Sequence, residues 1–138
     1  MMTGGCLCGK VRYEVTGEFS DISNCHCTMC RRVTGSAFGA FGGVKWRDFH
    51  WLGGEELVRG YRSSGKVERT FCSVCGSTLQ TIYDEQPDVF YLALGTADGD
   101  PGCRPEYHIF VGSKAPWFDI TDSLPQNDGW AHGPPGTG

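Results

Sequence analysis

Within six residues, Cys25-His26-Cys27-Thr28-Met29-Cys30, this chain gathers three thiols. A buried cysteine packs as a small hydrophobe, and packing alone does not call for three of them interrupted by His and Thr. Three thiolates this close can converge on one soft divalent ion, and zinc is the default choice. The cluster offers three sulfurs and not four. Closed structural zinc sites take four protein ligands, whereas catalytic ones leave a position open.

Four more cysteines fall into two further motifs. Cys6-Leu7-Cys8, between Gly5 and Gly9, puts two thiols two residues apart. In an extended segment, residues i and i+2 point to the same side, so both sulfurs can reach one ion. Cys72-Ser73-Val74-Cys75-Gly76 reads as a tight zinc-knuckle turn. A thioredoxin-type redox site competes for this Cys-x-x-Cys. It wants a helix starting at the motif, whereas Leu79 to Tyr83 reads as a strand. The simplest division makes Cys6, Cys8, Cys72 and Cys75 a closed four-sulfur site. Cys25, Cys27 and Cys30 are then left to hold a second ion with one position free. Spacing leaves another version open, in which His26, His108 or Cys103 closes the second site as well.

The rest of the chain points to a mainly β fold. At 138 residues, one domain with a genuine core is expected. The 21 glycines and 7 prolines suit short strands and tight turns better than long helices. Val11, Tyr13 and Val15 alternate with Arg12 and Glu14, the pattern of a half-buried strand. Further strands are expected over 19–24, 37–44 and 46–52, in a hairpin of 57–62 with 66–71, and over 79–83, 89–96 and 106–111. The passage 31–36 reads as a turn. A single domain over 1–126 is expected, followed by a disordered Gly/Pro-rich tail over 127–138.

The net charge of −4 weighs against nonspecific nucleic-acid or membrane-surface binding. No basic start with an apolar run precedes the first motif, and no apolar stretch has transmembrane length. A cytoplasmic location is therefore expected. Thiols stay reduced there, so the eight cysteines read as metal ligands in preference to disulfides.

Other residues draw notice. His26, between two ligands, either faces the site or points away into solvent. Arg31 and Arg32 could clamp carboxylates beside the metal, as guanidinium geometry allows, or be plain exposed charges on a turn. Trp117 and Phe118 read as core, and Cys103 as a bystander.

Several stretches together resemble the glutathione-dependent formaldehyde-activating enzyme family, whose fold is the Mss4-like β architecture. They are Gly5-Cys6-Leu7-Cys8-Gly9, Cys25 to Arg31, Gly35-Ser36-Ala37-Phe38, Phe71 to Gly76 and Pro105 to Phe110. Ser113 to Trp117 with Leu124-Pro125 also looks like the family's C-terminal part. The resemblance implies several short antiparallel sheets folded around two zinc ions. One ion is structural, on Cys6, Cys8, Cys72 and Cys75; the other is catalytic, on Cys25, Cys27 and Cys30. It implies a carbon–sulfur lyase that joins the glutathione thiol to formaldehyde, giving S-hydroxymethylglutathione. The partners would be a small thiol and a small aldehyde, with no nucleic acid and no membrane. On physical grounds separate from the resemblance, Arg31, Arg32 or His108 could bind glutathione's carboxylates or steer the aldehyde oxygen's proton. The family also contains centromere protein V, associated with chromosomes. A zinc-stabilised binding or chaperone-like module without catalysis is the alternative.

Overall fold

The computed structural model describes residues 1–132. Ten strands and one α-helix build two sheets. Strands β1 (Met2–Gly5), β2 (Arg12–Val15) and β5 (Phe49–Gly53) form a three-stranded antiparallel sheet. The other seven are β3 (Ser20–Cys25), β4 (Gly39–Lys45), β6 (Val58–Ser64), β7 (Val67–Cys72), β8 (Thr78–Tyr83), β9 (Val89–Ala93) and β10 (Tyr107–Ile109). They make one large sheet in the order β10-β3-β4-β9-β8-β7-β6. The architecture is mainly β, as expected, gathered into two sheets around one shared core.

Alternation sets the core. Val11, Tyr13 and Val15 are all fully buried, and Arg12 and Glu14 take the other face. Tyr13, Val15 and Phe49 of the small sheet meet Val44, Phe90 and Leu92 of the large one. Phe49 lies edge-on to Phe90 and to Trp51, arrangements that aromatic quadrupoles favour. A second cluster joins Cys6, Val11, Cys72 and Leu79, and a third joins Cys25, Cys30, Phe41 and Ile109. Each cysteine group therefore sits on its own apolar floor.

One pairing departs from the antiparallel pattern. β10 runs parallel to β3, with Tyr107 opposite Ser23, His108 opposite Asn24 and Ile109 opposite Cys25. The His26 N–H then donates to the Ile109 carbonyl, extending the ladder by one bond. A strand more than eighty residues downstream thereby flanks the one that delivers the central cysteines.

Two local expectations are corrected. The passage after Cys30 is no turn: Thr28–Thr34 form a helix, α1. Cys27 caps it, its sulfur accepting the Cys30 N–H at 3.2 Å, and Gly35 ends it at φ 67° with its N–H bonded to the Arg31 carbonyl. A helix of seven residues is too short to show periodicity, and a thiol is an uncommon cap. Trp117, expected in the core, is 70 % exposed, while Phe118 packs against Phe38.

The segment from 127 onward, expected as a disordered tail, is engaged as far as the described residues reach. Asn127 exchanges backbone hydrogen bonds with His108 and Val111, and Gly129 accepts from the Phe110 N–H. Trp130 lies edge-on to Phe110 at 4.9 Å. The remainder of that expected tail, 133–138, lies outside the described residues.

Candidate metal centres and active site

Two groups of cysteines converge. Cys6, Cys8, Cys72 and Cys75 place their sulfurs within 4.8 Å of one another, and so do Cys25, Cys27 and Cys30. Cys103 joins neither group.

The four-cysteine group is built from two facing turns. Cys6 follows β1 and Cys72 ends β7, so the main chain of each sheet delivers one buried sulfur. Cys6 to Cys8 is a turn and not an extended segment, closed by the Gly9 N–H on the Cys6 carbonyl. Gly9 and Gly76 close the two turns at φ 80° each, a backbone region that favours glycine. The turns are tied together by the Leu7 N–H donating to Ser77 Oγ at 2.9 Å. Amides serve the sulfurs too, the Val11 N–H reaching Cys6 Sγ at 3.3 Å. Hydrogen bonding from Ser77 pulls the Cys75 thiol down to about 5, favouring the thiolate that a metal needs. No helix starts at Cys72-x-x-Cys75, so the context of a thioredoxin-type site is missing.

The donor set fits zinc. Sulfurs of Cys6 and Cys8 are 3.5 Å apart, and those of Cys8 and Cys72 are 3.9 Å apart. A tetrahedron with Zn–S bonds of about 2.3 Å has edges of about 3.8 Å.

The three-cysteine group stands where β3 passes into α1. Cys25 ends the strand, Cys27 caps the helix and Cys30 lies on its buried face. Cys25 and Cys30 are almost fully buried, and Cys27 is half-buried, so this sulfur is the one nearest solvent. Hydrogen bonds from the Cys25 and Cys30 thiols draw Cys27 down to about 2, helped by the Cys30 N–H and the charge of Arg69. The same contact with Cys27 pushes Cys25 up, because a thiol that donates its proton holds it. Among the described residues, no His, Asp, Glu or further Cys supplies a fourth donor to the group.

His26 and His108, weighed as possible fourth ligands, belong to a different network. His26 is fully buried, and its Nε2 lies 2.8 Å from His108 Nδ1. His108 in turn reaches Asp122 through Nε2 at 3.0 Å. With both ring nitrogens engaged and the ring 1 % exposed, His108 has no atom left for a glutathione carboxylate. The rings of Phe38 and Phe118 enclose His26.

Arg31 and Arg32 occupy the last turn of α1. Arg32 is exposed, while Arg31 is half-buried with an Nε that finds no partner. Sequence reasoning missed Arg69. Its place in β7 hid its burial (6 % exposed) and its contact with Cys30, Nη1 standing 3.7 Å from the sulfur.

A cleft of about 450 Å³ opens beside this group, between the end of α1, the start of β4 and the Gly76–Thr78 turn. Val33, Thr34, Ser36, Phe41, Ser77 and Ala93 are among its lining residues. Phe41 and Ala93 also pack around Cys25 and Cys30.

Comparison with known proteins gives this geometry a family. The family model described as glutathione-dependent formaldehyde-activating enzyme matches residues 1–113, from the first strand past the last. The chain belongs to that family. Relatives of the formaldehyde-activating family resemble it over most of their length. A Schizosaccharomyces pombe protein named as an uncharacterised lyase is 27 % identical over 119 residues, 86 % of this chain and 85 % of its own. A Halomonas elongata protein, provisionally named a glutathione-dependent formaldehyde-activating enzyme, is 27 % identical over 127 residues, 87 % of this chain and 81 % of its own. A crystal structure of a Rhodobacter sphaeroides protein shares the fold, with a TM-score of 0.60 at 24 % identity. The match covers 72 % of this chain and 90 % of that one. No helix among the described residues is long and apolar enough to cross a membrane.

Proposed function

We propose that this chain is a zinc-dependent carbon–sulfur lyase-type enzyme that makes and breaks a thiol–aldehyde adduct. Its substrates in this reading are glutathione and formaldehyde, and its product is S-hydroxymethylglutathione. The observation that carries the reading is the contrast between the two cysteine groups. Four sulfurs close one group, whereas three sulfurs, with no fourth side-chain donor among the described residues, leave the other open toward ligand. The family match and the name of one relative support the choice of glutathione and formaldehyde.

Cys6, Cys8, Cys72 and Cys75 would hold a structural zinc, and Cys25, Cys27 and Cys30 a catalytic one. Zinc bound by the three supplies a fourth position for sulfur and lowers the pKa of a thiol brought there. The protein's share is placement. β3 and α1 fix the three ligands from one short segment, and the adjacent cleft has the size for a tripeptide thiol. The glutathione thiol loses its proton, and its sulfur forms a bond to the aldehyde carbon. The carbonyl π pair moves onto oxygen, which takes up a proton to give the hydroxymethyl group. The reverse step returns both reactants.

Arg31 and Arg32 lie in the last turn of α1, next in sequence to the cleft residues Val33 and Thr34, and in this reading they would bind glutathione's carboxylates. Arg31→Ala should raise the KM for glutathione about threefold to tenfold and leave the zinc content unchanged. An unaltered KM would remove Arg31 from that role.

Carbon-13 exchange NMR between labelled formaldehyde and S-hydroxymethylglutathione tests the whole reading. Exchange faster than the spontaneous rate, and lost in Cys27→Ala, is expected. A protein carrying two zinc ions that fails to accelerate exchange would overturn the formaldehyde assignment and favour a binding module.

A further inference from the structure

A buried guanidinium normally meets a carboxylate, because an uncompensated charge is costly away from water. Arg69 meets none. It lies on β7 between Tyr61 of β6 and Thr81 of β8, 6 % exposed, and forms no ion pair among the described residues. Its Nε donates to Ser63 Oγ at 3.2 Å, a neutral partner. Its Nη1 is 3.7 Å from Cys30 Sγ. Tyr83 is also close, but burial pushes its phenol up, so it stays neutral and offers no counter-charge. The negative group that faces Arg69 is the cysteine cluster itself.

We propose that Arg69 is the fixed counter-charge of the three-cysteine centre and tunes it to take an anionic thiolate as fourth ligand in preference to a neutral one. The proposal rests on the reading of that centre as a metal site. Three thiolates on a divalent cation leave one net negative charge, and a fourth thiolate makes it two. A second buried negative charge is disfavoured unless a cation lies within a few ångströms. Arg69 supplies that cation beside Cys30. It binds no metal and transfers no proton; it is a positioning residue whose effect is electrostatic. Ser63 aims the guanidinium, and the pairing of β7 with β6 and β8 holds its Cα in place.

The test uses the full chain loaded with cobalt(II), whose visible spectrum reports sulfur and nitrogen ligation. Wild type, Arg69→Gln and Arg69→Lys are titrated with glutathione, with 2-mercaptoethanol and with neutral imidazole. Arg69→Gln should weaken both thiols about 10-fold to 100-fold, the usual cost of losing a partner of a metal ligand, and leave imidazole binding unchanged. Arg69→Lys, which keeps the charge, should recover most of the thiol affinity. Thiol affinities within twofold of wild type in Arg69→Gln would overturn the proposal. So would an equal loss for thiols and imidazole that Arg69→Lys does not repair, since that is the signature of packing. Should Arg69→Gln not fold, a folded, thiol-binding Arg69→Lys supports the requirement for charge, and its failure as well overturns it. A wild type that takes up one cobalt ion only would overturn the metal reading together with this proposal. Two ions with no thiol effect would overturn the Arg69 proposal alone.

Discussion

His26 Nε2 and His108 Nδ1 stand 2.8 Å apart inside the protein, and one carboxylate decides which of them carries the proton. Asp122 accepts only, so His108 Nε2 must donate to it at 3.0 Å. In the neutral ring, His108 Nδ1 is then an acceptor, and His26 Nε2–H donates. The hydrogen bond from His108, helped by the Leu124 N–H, holds the Asp122 carboxyl below its ordinary range. A carboxylate depressed in the folded state adds stability that is fully present above its unfolded value of 3.8 and is lost as pH falls through the folded value. The melting temperature of wild type should therefore exceed that of Asp122→Asn between pH 5 and 7, and the gap should begin to narrow only below about pH 4. Calorimetry across that range would detect it, and a gap independent of pH would refute the coupling.

The same pair makes His108 structural. His108→Ala removes a fully buried ring and leaves His26 with both nitrogens unpaired. A loss of about 2–4 kcal/mol in urea unfolding is expected, combining a cavity with an unsatisfied donor. A loss under about 1 kcal/mol would mean that water replaces the ring.

Two glycines separate backbone strain from crowding. At Gly35, φ is 67° and an added Cβ would meet nothing within 4 Å. Gly35→Ala should cost about 1 kcal/mol through the left-handed backbone alone. At Gly54, φ is 77° and an added Cβ would clash with the Lys10 carbonyl oxygen. Gly54→Ala should cost about 3 kcal/mol or more, because main chain must move. Equal effects in paired urea titrations would contradict this distinction.

Metal removal should act first on the join between the sheets. Cys6 and Cys8 follow the last residue of β1 in the small sheet, whereas Cys72 ends β7 of the large one and Cys75 lies in the turn that follows it. Cys72→Ser should lower bound zinc from two equivalents to one and reduce the melting temperature, while Cys27→Ala loses one equivalent with a smaller thermal effect. Plasma emission analysis with calorimetry checks both, and the opposite thermal order would reverse the structural and catalytic assignments.

Truncation tests the segment after 126. Its backbone bonds to His108, Phe110 and Val111, and Trp130 packs on Phe110 and Tyr83. A chain ending at residue 126 should lose about 1–3 kcal/mol, much of it reproduced by Trp130→Ala. Unchanged stability would show that these contacts contribute nothing.

Much of this was legible in the sequence. The Val11, Tyr13, Val15 alternation marks its strand because every second residue there enters the core, and cysteine spacing grouped seven thiols as the fold groups them. What escaped depends on partners far along the chain. His26 looked indifferent to its surroundings until His108, 82 residues later, lay beside it. Arg69 lay unremarked in the expected 66–71 strand, and its burial goes with a contact to Cys30, 39 positions earlier. α1 was hidden for a local reason, since its cap is a sulfur already claimed by the metal motif.

The parallel pairing of β10 with β3 also has a temporal side. During translation the strand carrying Cys25 emerges early, but the strand that covers its outer edge is made more than eighty residues later. Until then that edge shows unpaired amides and carbonyls, the kind of surface on which nascent chains misassociate. β4, arriving soon after, protects the other edge at once. The segment bearing the central thiols therefore keeps one edge open until β10 has been made.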